Sequence, residues 1–210
     1  MLCPLKSCNQ NGCRCIKDHI FFIGFAFLGL VIWLFKLNGP LFYYINSLHV
    51  VLPDIVWKGI NLISYSRFFI LPLLLLVITF IWRKDKLKQT GILIIAFYLV
   101  FQLLKIIFGE ARPYMVLPQN SFFWLNQFEN AVSSAYQSFP SGHTGNMTVF
   151  VFAITNMFNK KWLNILLFLL LGLTGLARIC TGWHWPLDVI ASGLIGYILV
   201  QCIYCKNRLF

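Results

Sequence analysis

Long apolar runs alternate with short basic segments along this chain, and the alternation predicts membrane-crossing helices. The runs cover residues 20–35, 68–82 (extended backward to about 59), 91–108, 144–158, 162–179 and 187–204, the third interrupted by Gln102 and Lys105. A crossing helix uses about 20 residues, so six would take roughly 120. The sequence after the first run is Lys36-Leu37-Asn38-Gly39-Pro40. It has no small-x-small cleavage site, so that run reads as a retained anchor. The expected architecture is all-α and polytopic, with six transmembrane helices in one bundle. The expected domains are a cytoplasmic Cys-rich tail (1–19), a single membrane domain (20–205) and a short cytoplasmic tail (206–210).

Composition agrees with that pattern. Of 210 residues, 59% are apolar and 11% charged, against about 25% charged in an ordinary soluble domain. So few charges cannot cover so much apolar surface in water. This excludes a soluble enzyme, a disordered chain and a disulfide-rich secreted scaffold.

Charge orients the bundle. Of the 17 Lys and Arg, eleven lie in four segments expected on one side. They are Lys6, Arg14 and Lys17; Arg83, Lys84, Lys86 and Lys88; Lys160 and Lys161; and Lys206 and Arg208. The positive-inside rule places that side in the cytoplasm. The net charge of +11 is thus an orientation signal with some attraction to anionic headgroups. Cations divided among short segments make nucleic acid a poor partner. The bilayer is the expected one.

The other six cations, Lys36, Lys58, Arg67, Lys105, Arg112 and Arg178, fall near outer helix ends. A cation at mid-helix costs about 2.5–3.5 kcal/mol on insertion scales. Lys105 and Arg112 are seven residues apart, two helical turns, so both could share a helix face. Arg112 precedes Pro113, where a helix should already have stopped. Taken singly, each of these cations could equally be snorkelling to the interface.

Two histidines narrow the choice. In Pro140-Ser141-Gly142-His143, Ser141 fits a helix N-cap, which leaves the next amides pointing outward. Such an end binds phosphate, although alone it also reads as an ordinary cap. His184 precedes Pro186, which is suited to the first position of the last helix. Asp188 then falls in the first turn, within reach of the His184 imidazole. A carboxylate there fixes the tautomer and leaves the other ring nitrogen free as nucleophile or base. With an inside N-terminus, all these residues meet on the outer face. Three cations, one helix N-terminus and two histidines at one depth make a phosphate site.

Lys105-x6-Arg112-Pro113, Pro140-Ser141-Gly142-His143 and Arg178-x5-His184-x3-Asp188 together resemble the three-part signature of the type 2 phosphatidic acid phosphatase superfamily. These are six-helix membrane lipid phosphatases, distantly related to vanadium haloperoxidases. One position departs from the pattern: the family usually has Ser before the third-motif Arg, and here it is Ala177. The resemblance implies that His184 attacks phosphorus, Asp188 orients it, and His143 protonates the leaving oxygen. It implies that Lys105, Arg112, Arg178, Ser141 and the Gly142 amide hold the phosphoryl oxygens. It calls for no cofactor, and the three cations carry the charge a metal would otherwise hold, so no metal is expected. A neutral His184 and a protonated His143 predict a bell-shaped pH profile.

The expected substrate is a lipid phosphate or pyrophosphate. Undecaprenyl pyrophosphate, phosphatidylglycerol phosphate, phosphatidic acid and lipid A fit what the family handles. The compact size and outer-facing site favour envelope lipids, with the protein in the inner membrane and its site facing the periplasm or exterior. Lipid-to-lipid phosphotransfer through the same site is the alternative. A transporter or scaffold is disfavoured by the intact histidines and Asp188. A soluble-headgroup phosphatase is disfavoured by the short chain and apolar outer loops. Residues 39–57 are expected to lie in the interface. Residues 114–139 are expected to select the headgroup, with Asn126, Glu129 and Asn130 as polar candidates.

The seven cysteines are expected to be mostly cytoplasmic and reduced. The spacing of Cys3, Cys8, Cys13 and Cys15 fits no common zinc motif, and lipidation or tolerance is favoured over metal binding for these and for Cys202 and Cys205. Cys180 stands alone near the outer face, so no disulfide is expected. Ser192 and Gly196 are expected at an internal helix contact rather than a dimer seam.

Overall fold

The computed structural model describes residues 12–65, 69–125, 135–158 and 160–204, with side chains from Phe22 onward. Within these residues the protein is helical, without strands. The helices are α1 (Gly12–Leu34), α2 (Asn38–Asn46), α3 (Asp54–Ser64), α4 (Ile70–Trp82) and α5 (Leu87–Phe108). They are followed by the single turn α6 (Pro113–Val116), then α7 (Gly142–Met157), α8 (Lys161–Cys180) and α9 (Pro186–Tyr204). A 3-10 turn, Ser47–Val51, continues α2.

Helix α7 is the centre. It packs against α9, α8, α4, α5 and α3, and nearly all its residues are buried. A helix surrounded by others is apolar all round, as Val149 to Ala153 show. The main core joins Phe97, Phe101, Val151, Phe152 and Val200. Gly196 of α9 sits where a Cβ would lie 3.0 Å from Thr148 of α7, and Ser192 is fully buried. The small residues of α9 therefore mark internal packing.

Two features differ from the sequence pattern. The second run is two helices, α3 and α4, parted around Phe69 in the left-handed region (φ 52°). The first run ends in a Schellman turn: Lys36 is left-handed (φ 53°), and the Leu37 and Lys36 amides return to Ile32 O and Trp33 O. The chain then bends by 109° into α2 and the following 3-10 turn. Residues 39–57 are thus helical, and Tyr44, Val50, Val51 and Ile55 are exposed.

Among the described residues, three segments are long and apolar enough to cross a membrane: Lys84–Val116, Lys161–Cys180 and Pro186–Tyr204. The bent α1–α2 pair makes a fourth if it is counted as one span. Helix α4, with 13 residues, and α7, with 16, fall short of the roughly 20 of a straight span. The structure is that of an integral membrane protein.

Cys3, Cys8, Cys205, Lys6, Lys206, Arg208, Arg67, Asn126, Glu129 and Asn130 lie outside the described residues, and the side chains of Cys13, Cys15, Arg14 and Lys17 outside the described side chains. Cys180 is buried and free, with its Sγ–H on Ile45 O at 3.2 Å.

Candidate active site

The cluster forms where four helix ends meet. Helix α5 stops at Phe108 because Gly109 turns left-handed (φ 50°), its amide closing on Lys105 O at 3.1 Å. Arg112 therefore does not share a helix face with Lys105. It stands in extended backbone at the start of α6, and its amide donates to Ala135 O at 3.0 Å. The two cations still act at one point, because the fields of Lys105, Arg112 and Arg178 all bear on His184.

Ser141 occupies the N-cap of α7, and the first helical bond runs from the Gly145 amide to Ser141 O at 3.0 Å. The amides of Gly142, His143 and Thr144 precede that bond and have no acceptor within the helix. The Ser141 hydroxyl makes no capping bond and pairs instead with Thr144 Oγ1 at 3.1 Å. The Ser141 amide donates to Asp188 O at 3.4 Å, which joins the starts of α7 and α9. The His143 ring lies 5.2 Å from the Tyr65 ring.

Arg178 closes α8, and a tight turn over residues 181–185 leads to α9. Gly182 makes the turn possible: its φ is +76°, and a Cβ there would sit 2.7 Å from Phe123 O. The amides of Trp183 and His184 both return to Arg178 O. Asp188 then completes half a capping box, Oδ2 accepting the Trp185 amide at 2.9 Å. The same oxygen accepts the Ser138 hydroxyl at 2.5 Å.

His184 Nδ1 lies 3.5 Å from Asp188 Oδ2. The predicted pair is therefore brought together, but beyond good hydrogen-bond range. Such contacts are often long in an unliganded site and tighten when substrate binds. Burial first, then Arg112, Arg178 and Lys105, hold the His184 imidazole well below the usual histidine range. The ring is neutral at physiological pH, the state a nitrogen nucleophile requires.

The site is dry as well as charged. His184 is 1% exposed, Asp188 0%, Arg178 1% and Arg112 and His143 4% each. In such surroundings fixed charges act more strongly than in water. Lys105 is anchored by Nζ on Gln137 O at 2.7 Å. Of the predicted set, the structure brings Lys105, Arg112, Ser141, His143, Arg178, His184 and Asp188 into one cluster, with Gly142 at its edge.

Four contributors carried no signal in the sequence. Ser138 holds Asp188. The Glu110 carboxyl lies beside Asp188. Trp183 touches both guanidiniums. Asn46 on α2 donates to Phe123 O, Ile179 O and Cys180 O and accepts the Phe123 amide. The first three lie inside or beside the spaced motifs and could have been asked about. Asn46 is 133 residues from Ile179, and no spacing rule connects them. Among the described residues, no group of three or more His, Cys, Asp and Glu side chains is placed to hold a metal ion.

Comparison with known proteins bears on this geometry. The sequence profile of the PAP2 superfamily matches residues 86–209, which include every candidate residue. An undecaprenyl-diphosphatase from Sulfolobus acidocaldarius is 28% identical over 136 residues, 63% of this chain. The chain spans 61% of that relative's length. The bacitracin transport permease protein BcrC of Bacillus licheniformis is 30% identical over 178 residues, 80% of each chain. Among solved structures, LpxE of Aquifex aeolicus superposes with a TM-score of 0.66 at 28% identity, over 81% of this chain and 96% of that one. The transmembrane PAP2-type phosphatidylglycerolphosphate phosphatase of Bacillus subtilis gives 0.66 at 21% identity, over 92% and 97%. The second likeness is one of fold alone.

Proposed function

This chain belongs to the PAP2 superfamily, and from that premise we propose that it is a membrane phosphatase acting on a lipid phosphate or pyrophosphate, with undecaprenyl pyrophosphate the first candidate. The observation that carries this reading is a buried His184 on which the charges of Lys105, Arg112 and Arg178 bear. That is the electrostatic setting for attack on a phosphoryl group. The undecaprenyl-diphosphatase likeness favours the polyprenyl substrate over phosphatidylglycerol phosphate, phosphatidic acid and lipid A.

His184 Nε2, the nitrogen turned away from Asp188, attacks phosphorus in line. The bond from phosphorus to the leaving lipid oxygen breaks as the N–P bond forms, and His143 gives that oxygen its proton. Water then attacks phosphorus and passes a proton to His143. The N–P bond breaks, phosphate departs and His184 returns to its neutral form. Asp188 stabilises the positive charge that develops on the His184 ring. Lys105, Arg112, Arg178, Ser141 and the Gly142 amide hold the phosphoryl oxygens. These cations meet the charge of the transferring group, so the reaction proceeds without a metal.

In this reading the chain crosses the inner membrane six times, with both tails in the cytoplasm. Residues 20–205 form one domain between tails 1–19 and 206–210, and residues 114–139 select the headgroup. The basic segments at 83–88 and 160–161 support that orientation. It places the site at headgroup depth on the periplasmic or outer face.

The test is phosphate release from the four lipids in detergent, with EDTA present, for wild type and His184→Ala. EDTA-resistant release from undecaprenyl pyrophosphate, lost in the variant, is the expected result. Activity surviving in His184→Ala would remove His184 as nucleophile. Release that appears only when a second lipid is supplied as acceptor would replace hydrolysis with phosphotransfer.

A further inference from the structure

We propose that Trp183 is a positioning residue of the phosphate site, its indole holding Arg112 and Arg178 at a fixed spacing and tying them to the outer segment before α7. The inference deepens the phosphatase reading and rests on it.

Trp183 is fully buried. Arg112 Cζ lies 5.0 Å from the centre of its ring and Arg178 Cζ 5.5 Å. Both distances are within the range in which a cation is attracted to an aromatic ring. Arg112 also donates through Nη1 to Trp183 O at 3.4 Å, and the Trp183 amide donates to Arg178 O at 3.1 Å. One residue thus contacts both arginines through ring and backbone.

The indole is itself fixed from outside. Its Nε1–H donates to Leu125 O at 2.8 Å, and the Leu125 amide donates to Thr181 O at 3.2 Å. The Tyr114 ring meets it edge-on at 5.3 Å, the Trp124 ring lies 5.9 Å away, and Tyr114 stacks on Trp124 at 4.9 Å.

Two buried guanidiniums repel each other when no phosphate lies between them. An aromatic ring against both offsets part of that repulsion and keeps them in the bound arrangement before substrate arrives. An aliphatic side chain of similar bulk would fill the space and lack the ring's negative face. Pre-organised charge is the kind that lowers a phosphoryl-transfer barrier.

The experiment compares wild type, Trp183→Leu and Trp183→Phe in detergent, and then Phe against pentafluorophenylalanine installed at position 183. The last pair has nearly the same shape but opposite ring electrostatics. Readouts, per folded molecule, are KM and kcat for undecaprenyl pyrophosphate and the inhibition constant for inorganic phosphate. Trp183→Leu should raise KM and the phosphate constant about tenfold, the order expected for a lost desolvated cation–π contact. Trp183→Phe should change them less than about threefold, because the ring face is kept. Pentafluorophenylalanine should behave like Leu, and this pair decides the matter if Trp183→Leu does not fold. In an Arg112→Ala, Arg178→Ala background, Trp183→Leu should raise the phosphate constant no further.

Unchanged constants in Trp183→Leu, or equal constants for Phe and pentafluorophenylalanine, would overturn the inference and leave the phosphatase reading standing. A wild type that neither hydrolyses any of the four lipids nor is occupied by phosphate would overturn both.

Discussion

The two ends of α7 lie in different chemical worlds. Toward its core end, Thr148, Thr155 and Asn156 are satisfied at short range by their own helix. Thr148 donates to Thr144 O at 2.7 Å, Thr155 to Phe152 O and Asn156 to Phe152 O. At the end that bears the site the pattern reverses. Ser138 reaches Asp188 across 50 residues, Lys105 reaches Gln137 O across 32, and among the described residues His184 Nδ1 makes no hydrogen bond. Buried polar groups are normally paired. Where local pairing is complete, the group serves the helix. Where partners come from distant segments, the group serves the site that those segments build.

The contrast can be broken from either end. The largest effect should follow His184→Ala, which is expected to lower kcat/KM by roughly 10⁴-fold or more while the unfolding temperature stays near wild type. Phe152→Ala should do the opposite. It should destabilise the fold by about 3–5 kcal/mol, read by thermal unfolding in detergent. Its activity per folded molecule should be unchanged. Loss of both properties in either variant would mean that the two regions are not separable.

Ser138→Ala should lower kcat by about 10- to 100-fold, the range for a hydrogen bond to a charged group. KM should hardly move, because Ser138 touches Asp188 and not the cations. An equal loss through KM would place Ser138 among the phosphate contacts instead.

Acid should then separate the regions by charge. The unfolded chain protonates His184 near pH 6.5, whereas the native site keeps it neutral. Below that pH the unfolded state binds the extra proton, so stability falls as pH falls. The slope for one such group is at most about 1.4 kcal/mol per pH unit. The unfolding temperature of wild type should therefore drop faster than that of His184→Gln between about pH 6.5 and 5. The acid limb of the pH–rate profile should also lie well below the ordinary histidine range. Parallel curves for the two proteins would show that His184 is not held neutral. The smallest change should come from Thr148→Val, whose lost bond inside α7 is expected to matter by about 1 kcal/mol or less.

The sequence was most legible where chemistry and helix ends coincide. Lys105, Arg112, His143, Arg178, His184 and Asp188 are polar residues inside apolar runs or close to their ends, and each needs a reason there. The apolar runs also located α5, α7, α8 and α9 closely. The pattern was blind to backbone conformation inside a run: Phe69 is apolar, and nothing about it announces a left-handed residue between α3 and α4. It was equally blind to the Arg112 offset, since seven-residue spacing assumes a helix that Gly109 ends. Ser138 and Asn46 escaped notice because their partners come from remote segments. Such contacts are properties of the folded chain rather than of any window in it.

Asn46 carries one more consequence. Its single amide is bonded both to the carbonyls at the last turn of α8 and to the backbone of Phe123, while its own helix leads into a hairpin with exposed Tyr44, Val50 and Val51. In mechanical terms this is a rivet. It joins an exposed hairpin to the last turn of the helix that bears Arg178, so one side chain couples the position of the hairpin to that of the helix end.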